Sequence, residues 1–486
     1  METKNEDSHT PAQGFEDEKV EETIPLEESK KTRRCKCYPP RGKLNEFITF
    51  VVLLAFLWIV IWSYVGKEVY PGGSLFGMLV IFNFALLGGR LIQFIKIPSV
   101  PPLPPLLGML LAGFVVRNTP IIRDYAQISQ VWSSYLRNTA LTIILVRAGL
   151  GLDPQALEKL KGVCLRLSIG PCCIEACSAA IFSHFIMKFP WLWGFLLGFV
   201  LGAVSPAVVV PAMLMLQEQG YGVKKGIPTL LIAASSFDDI LAITGFNSFL
   251  SITFTAAPVY KNIFRGVYEA VIGVTGGILM GYFIRYFPSN DQTTLAWKRA
   301  FLLLGSSITA VIGSSRLGLH GSGGLGAIVL TFVSSLGWKD EKKERVQQIV
   351  ANLWIIFQPL LFGLVGAEVS VANLESNTIG ICVATLGLSL LVRIIVTFLL
   401  VSFTGFSFKE KVFVALSWIP KATVQAVLGP LALEESRSKN LPQFEAYAKN
   451  VMTMAFLAIL ITAPNGALLI GLVGPKALSL DSPEEA

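Results

Sequence analysis

Two adjacent carboxylates, Asp238 and Asp239, lie at the middle of Thr229–Ser251, an apolar stretch that is long enough to cross a membrane. A charge at the middle of a bilayer costs at least about 2.5–3.5 kcal/mol, so such residues usually face a cavity and have a function. Hard cations prefer oxygen ligands, and burial favours the protonated form of a carboxyl group. The pair therefore predicts one site that binds either a small cation or protons.

Neutral oxygens near the aspartates are candidates to complete such a site. Ser235 precedes Asp239 by four residues and Asn247 follows it by eight, so both lie near the same face of a helix. The alternative is that buried basic residues satisfy the two aspartates without any role in transport. A packing role would need at most one such group, and the chain holds two.

The composition indicates a helical protein with many membrane spans. Of 486 residues, 53% are hydrophobic and only 15% are charged, whereas about a quarter are charged in soluble proteins. The net charge of +7 is therefore interpreted as loop charge that sets the membrane topology. No phosphate-binding, zinc-binding or serine-nucleophile motif occurs. We accordingly expect no cofactor, no disulfide scaffold and no nucleic-acid partner.

About 14 apolar segments are predicted to cross the membrane as helices. The sixth is predicted to be interrupted at Ser205-Pro206 and at Pro211, and residues 339–345 (KDEKKER) are predicted to form a charged loop. An even number of spans places both termini on one side, and the basic clusters predict that this side is cytosolic. The segments are Glu46–Gly66, Gly72–Ile95, Leu106–Val116, Ser133–Leu152, Val163–Met187, Trp191–Leu216, Thr229–Ser251, Gly266–Tyr286, Arg299–Ser315, Gly321–Leu336, Gln347–Gly366, Gly380–Val401, Val412–Leu433 and Ala446–Leu472.

The first 45 residues are rich in Glu, Lys, Ser and Pro and are predicted to be a disordered cytosolic tail. Its basic end, KKTRRCKCYPPRGK, is a positive-inside anchor and a candidate contact for anionic lipid. The acidic start resembles neither a signal peptide nor a mitochondrial presequence. The sequence leaves the plasma membrane, endomembrane organelles and the mitochondrial membrane open as locations.

Two groups of three segments repeat the same order along the chain. Each group begins with a segment that holds a charged residue, Glu175 or Arg393, and continues through a proline-interrupted segment to a last apolar span. The groups begin seven segments apart, so they enter the membrane from opposite faces. Inverted repeats with broken helices are typical of secondary transporters that bind ions at the midplane. The alternative is that the prolines merely kink their helices.

Four further charged residues lie in or beside the predicted spans. Glu175 and Arg393 occupy matching positions in the two groups and are predicted to form a buried ion pair. Lys421, at the second interruption, is predicted to offset the partial negative charge at broken-helix ends, with a titrating site lysine as the alternative. Arg147 has no partner that the sequence identifies, and is predicted to line the cavity or to satisfy carbonyls at a helix end.

These motifs closely resemble branch 2 of the cation/proton antiporter superfamily, and within it the mammalian Na+/H+ antiporters of solute carrier family 9, subgroup B. The resemblance runs from about Glu46 to Leu472 and is most specific at residues 202–214 (GAVSPAVVVPAML), 235–243 (SSFDDILAI) and 418–430 (WIPKATVQAVLGP). It implies a sodium/proton antiporter fold with inverted repeats and two crossed broken helices, and a homodimer. It also implies that Asp239 is the main ion-binding carboxylate, with Asp238 beside it.

The resemblance further implies a core that moves against a scaffold by elevator-like alternating access. The predicted parts are a tail at 1–45, an extra membrane helix at 46–66, scaffold helices at 72–131, a first core half at 132–252, a linker helix and further scaffold at 264–338, a second core half at 346–473, and a tail at 474–486.

Arg393 departs from the electrogenic bacterial members of the resembled family, in which a lysine at this place pairs with the first aspartate and loses its proton. Arginine stays protonated at physiological pH, and Glu175 offers it another partner. We therefore expect the exchange of one cation for one proton, without net movement of charge.

The predicted function is antiport of Na+ or Li+ against H+, with Ser235, Ser205 and Thr423 as supporting polar ligands. The main alternative is a cation-coupled transporter of an organic solute with the related inverted-repeat fold, such as the bile-acid carriers. An intramembrane aspartyl protease would need aspartates on separate helices and typically a GxGD motif, which the sequence lacks. A channel is disfavoured because competition between a proton and a cation for one site suits exchange better than conduction.

Overall fold

The computed structural model describes residues 42–95, 103–152, 161–254, 259–289, 291–370 and 376–480. Almost all regular structure within these residues is helical. The helices are α1 (Lys43–Val65), α2 (Ser74–Phe94), α3 (Pro105–Asn118), α4 (Pro120–Arg123), α5 (Gln130–Gly151), α6 (Lys161–Ile186), α7 (Trp191–Gly202), α8 (Pro206–Glu218), α9 (Ile227–Phe254), α10 (Val259–Tyr286), α11 (Leu295–Arg316), α12 (His320–Ser335), α13 (Asp340–Glu368), α14 (Ser376–Val401), α15 (Phe408–Leu416), α16 (Thr423–Ser438) and α17 (Pro442–Ala477).

The predicted all-α polytopic fold is confirmed. Among the described residues, 10 helices are long and apolar enough to cross a membrane, with α7 and α8 taken together as one of them. Two shorter apolar helices, Pro105–Asn118 and Gly321–Ser335, coincide with the third and tenth predicted spans. The fourth span coincides with α5 and the thirteenth with α15 and α16. The total of 14 stays a prediction.

The chain divides into two compact units, residues 1–60 and 61–486. In the first unit, the described residues from 43 onward belong to α1, an apolar helix that coincides with the first predicted span. The second unit contains all the other helices. The predicted N-terminal tail lies almost wholly outside the described residues.

The helices of the second unit pack mainly in two groups. In the first group, α3 packs between α2 and α13, while α5 packs against α11, α12 and α13, and α10 runs along α12. In the second group, α6 packs against α7 and α14, α9 packs against α6, α7 and α8, and α17 packs against α8, α15 and α16. The aspartate helix and both interrupted segments therefore belong to the second group.

Two membrane segments are interrupted by non-helical residues. Residues 203–205 separate α7 from α8, and residues 417–422 separate α15 from α16. Pro206 occupies the first position of α8, where a missing N–H removes no helical hydrogen bond. The prediction of a second interruption at Pro211 is wrong, because α8 continues through Pro211 to Glu218. A proline inside a membrane helix is tolerated where neighbouring groups satisfy the freed backbone.

The prediction of a charged loop at residues 339–345 is also wrong, because these residues form the start of α13. The helix begins at Asp340, with Lys339 as its N-cap residue. Glu, Lys and Arg are good helix formers, and Glu341 pairs with Arg345 one turn later at 2.7 Å. A charged segment of this composition therefore extends the helix beyond its apolar part.

Two close helix contacts depend on glycine. A Cβ atom at Gly198 on α7 would collide with the carbonyl oxygen of Ala176, which follows Glu175 on α6. A Cβ atom at Gly277 on α10 would lie 2.8 Å from the carbonyl oxygen of Gly326 on α12. Small residues let membrane helices approach at backbone distance. These contacts fix α6 against α7 and α10 against α12.

Gly277 and its neighbour Gly276 provide a matched test of this packing. We expect Gly277→Val to lower the thermal stability of the purified protein, because overpacking of a close contact costs about 1–3 kcal/mol. Gly276→Val, with no atom within 4 Å of its added Cβ, should leave stability nearly unchanged. The measurement is the unfolding temperature in detergent by fluorescence. Equal shifts in the two variants would contradict the close contact of α10 and α12.

Candidate functional site

The two interrupted segments meet at their breaks. The backbone N–H of Ser205 donates to the carbonyl oxygen of Pro420 at 2.8 Å, and the backbone N–H of Lys421 donates to Oγ1 of Thr462 at 2.9 Å. The hydroxyl oxygens of Ser205 and Thr423 lie 3.4 Å apart. Each break therefore finds partners in the other break or in α17, as irregular backbone inside a membrane requires.

The carbonyl oxygens at the C-terminal end of α7 accept hydrogen bonds from side chains of other helices. The last carbonyls of a helix have no intrahelical partner and carry partial negative charge. Gln425 Nε2 reaches two of them, each at 2.9 Å, while Lys421 Nζ and Arg393 Nη1 each donate to one. Val200 and Ala203 accept from Gln425. Leu201 accepts from Lys421, and Gly202 accepts from Arg393.

Four fully buried charged side chains surround this helix end. Arg393 Nη1 donates to Glu175 Oε2, and Arg393 Nη2 donates to Asp238 Oδ2 at 2.8 Å. Lys421 Nζ lies 2.8 Å from the same Glu175 carboxylate. The four side chains have 0% relative exposure. We call Glu175, Asp238, Arg393 and Lys421 the buried charge network; when all four are ionised, its two positive and two negative charges cancel.

Asp238 is held by this network on one side and by the break that precedes α8 on the other. Its Oδ2 accepts the backbone N–H of Val204 at 2.7 Å, as well as the Arg393 guanidinium. A carboxylate is stabilised near the positive N-terminal end of a helix such as α8. Asp238 therefore positions the break. Because it is paired with Arg393, it does not share a proton with a second aspartate as a protease would require.

Asp239 differs sharply from its neighbour. Neither of its carboxylate oxygens accepts a hydrogen bond from the described residues, and the residue is only 2% exposed. It lines a cavity of about 670 Å³. A buried, unpaired carboxylate is costly unless it binds a proton or a cation. This arrangement suits reversible binding of either.

The cavity extends from Asp239 to the ends of α5, α8 and α17. Its wall includes Arg147 and Gly151 near the end of α5, Met215 on α8 and Gly471 on α17. The Arg147 guanidinium carbon lies 5.7 Å from the centroid of the Trp354 ring, a favourable cation–π distance. Arg147 thus lines the cavity, one of the two positions that the sequence predicted for it.

The predicted polar ligands take different positions. Thr423 lines the cavity together with Asp239, and Ser205 is buried beside Thr423. Ser235 is buried, and its hydroxyl donates to the carbonyl oxygen of Ile232, as the hydroxyl of Ser236 also does. Of these two serines, only Ser236 lies in the cavity wall. Ser236 precedes Asp239 by three residues, a spacing that also places two side chains on one helix face.

Sequence reasoning missed Gln425 and the second partner of Lys421. Gln425 is fully buried and satisfies two α7 carbonyls; a lone amide in an apolar segment next to a break was the available signal. Lys421 was expected to offset a helix end, and it donates to Leu201, but it also pairs with Glu175. Glu175 thus bridges two cations.

Removal of Glu175 tests the charge network. Glu175→Gln leaves two buried cations facing one carboxylate, and breaking a buried pair typically costs about 3–5 kcal/mol. We expect a clear loss of thermal stability. Glu341→Gln, which removes an exposed i,i+4 pair, should have little effect because exposed pairs contribute little.

The double variant Glu175→Gln/Lys421→Met restores the charge balance. It should recover part of the stability that Glu175→Gln loses, when both are measured as unfolding temperatures in the same detergent. A double variant no more stable than the single one would show that charge balance does not stabilise this region.

Comparison with known families places this arrangement in context. Residues 80–473 match the family model described as "Sodium/hydrogen exchanger, transmembrane". This match spans both interrupted segments, the aspartate helix and Arg393. The family is one of transporters, as the sequence analysis predicted for this chain.

Curated relatives agree over most of their length. The chain is 64% identical to sodium/hydrogen exchanger 9B1 of Mus musculus over 90% of this chain and 78% of the relative. It is 62% identical to sodium/hydrogen exchanger 9B1 of Homo sapiens over 93% of this chain and 87% of the relative. It is 55% identical to sodium/hydrogen exchanger 9B2 of Homo sapiens over 98% and 90%. The resemblance to solute carrier family 9, subgroup B is thereby confirmed.

The fold also matches a solved structure. The sodium proton antiporter MjNhaP1 from Methanocaldococcus jannaschii superposes with a TM-score of 0.68, covering 81% of this chain and 99% of that one. At 18% identity, this likeness shows the fold alone, and it confirms the predicted antiporter fold. Together with the buried charge network and the sequence matches, it leads to one conclusion. This multi-pass membrane protein belongs to the sodium/hydrogen exchanger family.

Proposed function

We propose that this chain exchanges Na+ or Li+ for H+ across a membrane, and that Asp239 binds the two kinds of ion in turn. The observation that carries this proposal is the contrast between the aspartates: Asp238 is held by Arg393 and Val204, whereas Asp239 faces the large cavity without a hydrogen bond from the described residues. The names of the relatives, sodium/hydrogen exchangers 9B1 and 9B2, support Na+ and H+ as the exchanged ions.

Charge balance explains how one site couples the two ions. With its four members ionised, the buried charge network is neutral, so an ionised Asp239 adds one negative charge inside the membrane that this network does not compensate. Such a charge is costly at this depth. Binding of a proton or of a monovalent cation neutralises this charge equally well. Movement of the site across the membrane is then favoured only when it holds one of these ions. Binding of one ion excludes the other, so a lower pH weakens cation binding.

The same balance supports a one-for-one, electroneutral exchange. The site carries the same net charge whether Asp239 holds a proton or a cation. Arg393 stays protonated, and its contacts to Glu175, Asp238 and Gly202 fix it in the network. The network therefore contributes no second proton through Arg393.

Oxygen atoms near Asp239 fit a hard monovalent cation. Thr423 and Ser236 lie in the same cavity wall as Asp239, and hydroxyl and carboxylate oxygens are ligands that hard cations accept. Thr423 keeps its predicted role as a supporting ligand. The Ser205 hydroxyl oxygen lies 3.4 Å from that of Thr423 and orients the Thr423 hydroxyl. Ser236 replaces Ser235 as a supporting ligand in our assignment.

We assign the elevator movement to the two packing groups of helices. The moving core comprises α6–α9 and α14–α17, which hold the aspartates and both breaks. The scaffold comprises α2, α3 and α10–α13, together with α5, because α5 packs against α11, α12 and α13. This assignment places α5 and α13 in the scaffold, although the predicted core halves at 132–252 and 346–473 included them.

The large cavity opens on the side where α8 and α17 end. We assign this side to the cytosol, because the predicted topology places both termini there. In this state the site is accessible from the cytosol. The predicted homodimer and the contact of the basic tail with anionic lipid stay predictions, and that tail lies outside the described residues.

The cavity volume also suits the alternative, a cation-coupled transporter of an organic solute. Ligand pockets of about 300–1,000 Å³ hold drug-sized molecules, and this cavity of about 670 Å³ falls in that range. The two functions differ in one measurable respect. An antiporter moves protons in response to a Na+ gradient in the absence of any organic solute.

Asp239→Asn tests the proposed site. In proteoliposomes, we expect Na+- or Li+-driven alkalinisation to fall at least about a hundredfold, because the neutral amide holds neither ion by charge. The thermal stability of the variant should equal or exceed that of the wild type, since no hydrogen bond from the described residues is lost.

Asp238→Asn is the matched comparison, because it removes one carboxylate from the adjacent position. This variant should lose stability as well as exchange, since Asp238 holds Arg393 and the Val204 N–H. Wild-type exchange by Asp239→Asn would overturn the site. No cation-driven proton movement by the wild type would favour the organic-solute alternative.

Voltage dependence tests the stoichiometry. We expect the rate of Na+-driven pH change to be the same at several membrane potentials clamped with K+ and valinomycin. One uncompensated charge would gain about 2.3 kcal/mol per 100 mV, so electrogenic exchange would change severalfold across the same potentials. Currents that reverse with the cation gradient would contradict one-for-one exchange.

A further inference from the structure

A second cavity, of about 190 Å³, lies farther along the helices that line the first. Asp239 and Ser236 on α9 line the large cavity, and Asn247 on the same helix lines the small one. Eight residues separate Asp239 from Asn247, which corresponds to about 12 Å along the helix. The two cavities therefore lie on opposite sides of Asp239.

The order of lining residues is the same on three helices. On α5 the large cavity contacts Arg147 and the small one contacts Asn138, and on α16 the corresponding residues are Thr423 and Glu434. The helices α5, α9 and α16 thus line both cavities. The polar wall of the small cavity comprises Ser134, Asn138, Asn247, Ser315, Glu434, Glu435 and Ser438.

A buried arginine ties together the helices beside the small cavity. Arg137 on α5 is 1% exposed, its Nη2 donates to Glu434 on α16, and its Nη1 lies 3.3 Å from Glu368 Oε1 at the end of α13. Glu434 itself belongs to the cavity wall. The side chain therefore connects α16 to both α5 and α13 at one point.

We propose that the small cavity is the closed second mouth of the cation pathway, and that the ion pair of Arg137 with Glu434 is the latch that holds it shut. This proposal rests on the proposed function, in which α16 belongs to the moving core and α5 and α13 belong to the scaffold. The ligand of the opened mouth is a hydrated monovalent cation. Amide and hydroxyl oxygens of Asn138, Asn247 and Ser134 supply neutral ligands along the way.

The unequal number of charges in the latch gives it a second role. Two carboxylates, Glu368 and Glu434, contact the single guanidinium of Arg137. When α16 moves away, Glu368 retains Arg137 on the scaffold, and Glu434 becomes an unpaired carboxylate in the wall of the mouth. An exposed negative charge in a narrow cleft raises the local concentration of cations. The latch therefore closes one state and attracts the substrate in the other.

Several neighbouring charges form ion pairs within one group of helices. Glu435 pairs with Lys439 one turn later at 2.8 Å, and Arg437 pairs with Glu445 at 3.1 Å. Lys449 also contacts Glu445. These residues lie on α16, its C-terminal cap and α17, all within the proposed core or at its end. Arg437 and Glu445, neither of which lines the small cavity, supply matched controls that change the same charges without releasing the latch.

The test is the accessibility of Asn247→Cys, introduced into a chain whose native cysteines are replaced. Two membrane-impermeant methanethiosulfonate reagents, one cationic and one anionic, are added separately from the side of the small cavity, without any cation gradient. A change in local charge affects the two reagents in opposite directions, whereas opening of the mouth accelerates both. We expect Arg137→Gln and Glu434→Gln to increase the labelling rate about tenfold, because loss of the pair shifts the population toward the open mouth. Glu434→Gln leaves Arg137 paired with Glu368, so its folding is protected.

Arg437→Gln and Glu445→Gln remove the same kinds of charge nearby at residues that do not line the small cavity, and each should leave the labelling rate within about twofold of the parent. Equal labelling in all four variants and the parent, or an equal increase in the controls, would overturn the latch. The readout is independent of transport. Absence of cation-driven proton movement would refute the proposed function, whereas unchanged labelling in an active antiporter would refute the latch alone.

Discussion

The C-terminal end of α7 imposes the constraint on which the rest of the site depends. Its carbonyl groups end inside the membrane, where no bulk water satisfies them. Arg393, Lys421 and Gln425 supply the donors. Two of these donors are cations, so their burial requires counter-charges, which Glu175 and Asp238 provide. The composition of the buried charge network thus follows from the presence of a broken helix.

Neutrality of that network gives Asp239 its special position. The charges of the four surrounding side chains cancel when all are ionised, and these side chains form hydrogen bonds with one another or with backbone groups. We therefore expect their protonation to stay the same whichever ion is bound. Asp239 lies next to Asp238 in the chain, yet it faces the large cavity and not the network. Two adjacent residues on one helix point about 100° apart. The same geometry therefore separates a carboxylate held by hydrogen bonds from the carboxylate that we propose to bind the ions.

The sequence predicted the parts of the site that depend on rare residues in apolar segments. Charged residues are conspicuous there, because a charge inside a membrane helix is costly and is usually retained for a function. These residues are Asp238, Asp239, Glu175 and Arg393. The choice between Ser235 and Ser236 was not predictable, since both are close to the face of Asp239 and only the packing of α9 decides which one meets the cavity. The start of α13 was missed because a highly charged segment suits a loop or a solvated helix equally well.

The contacts of Arg137 could not be predicted from the sequence for a different reason. It is 231 residues from Glu368 and 297 from Glu434 in the chain, and all three lie near predicted segment ends, where charged residues are common. Only the fold shows that Arg137 is buried and contacts both carboxylates. An ion pair between helices that pack in different groups holds only one arrangement of those groups. Because both cavities border the same three helices on opposite sides of Asp239, a rearrangement that separates Arg137 from Glu434 would change access to the site rather than the site itself.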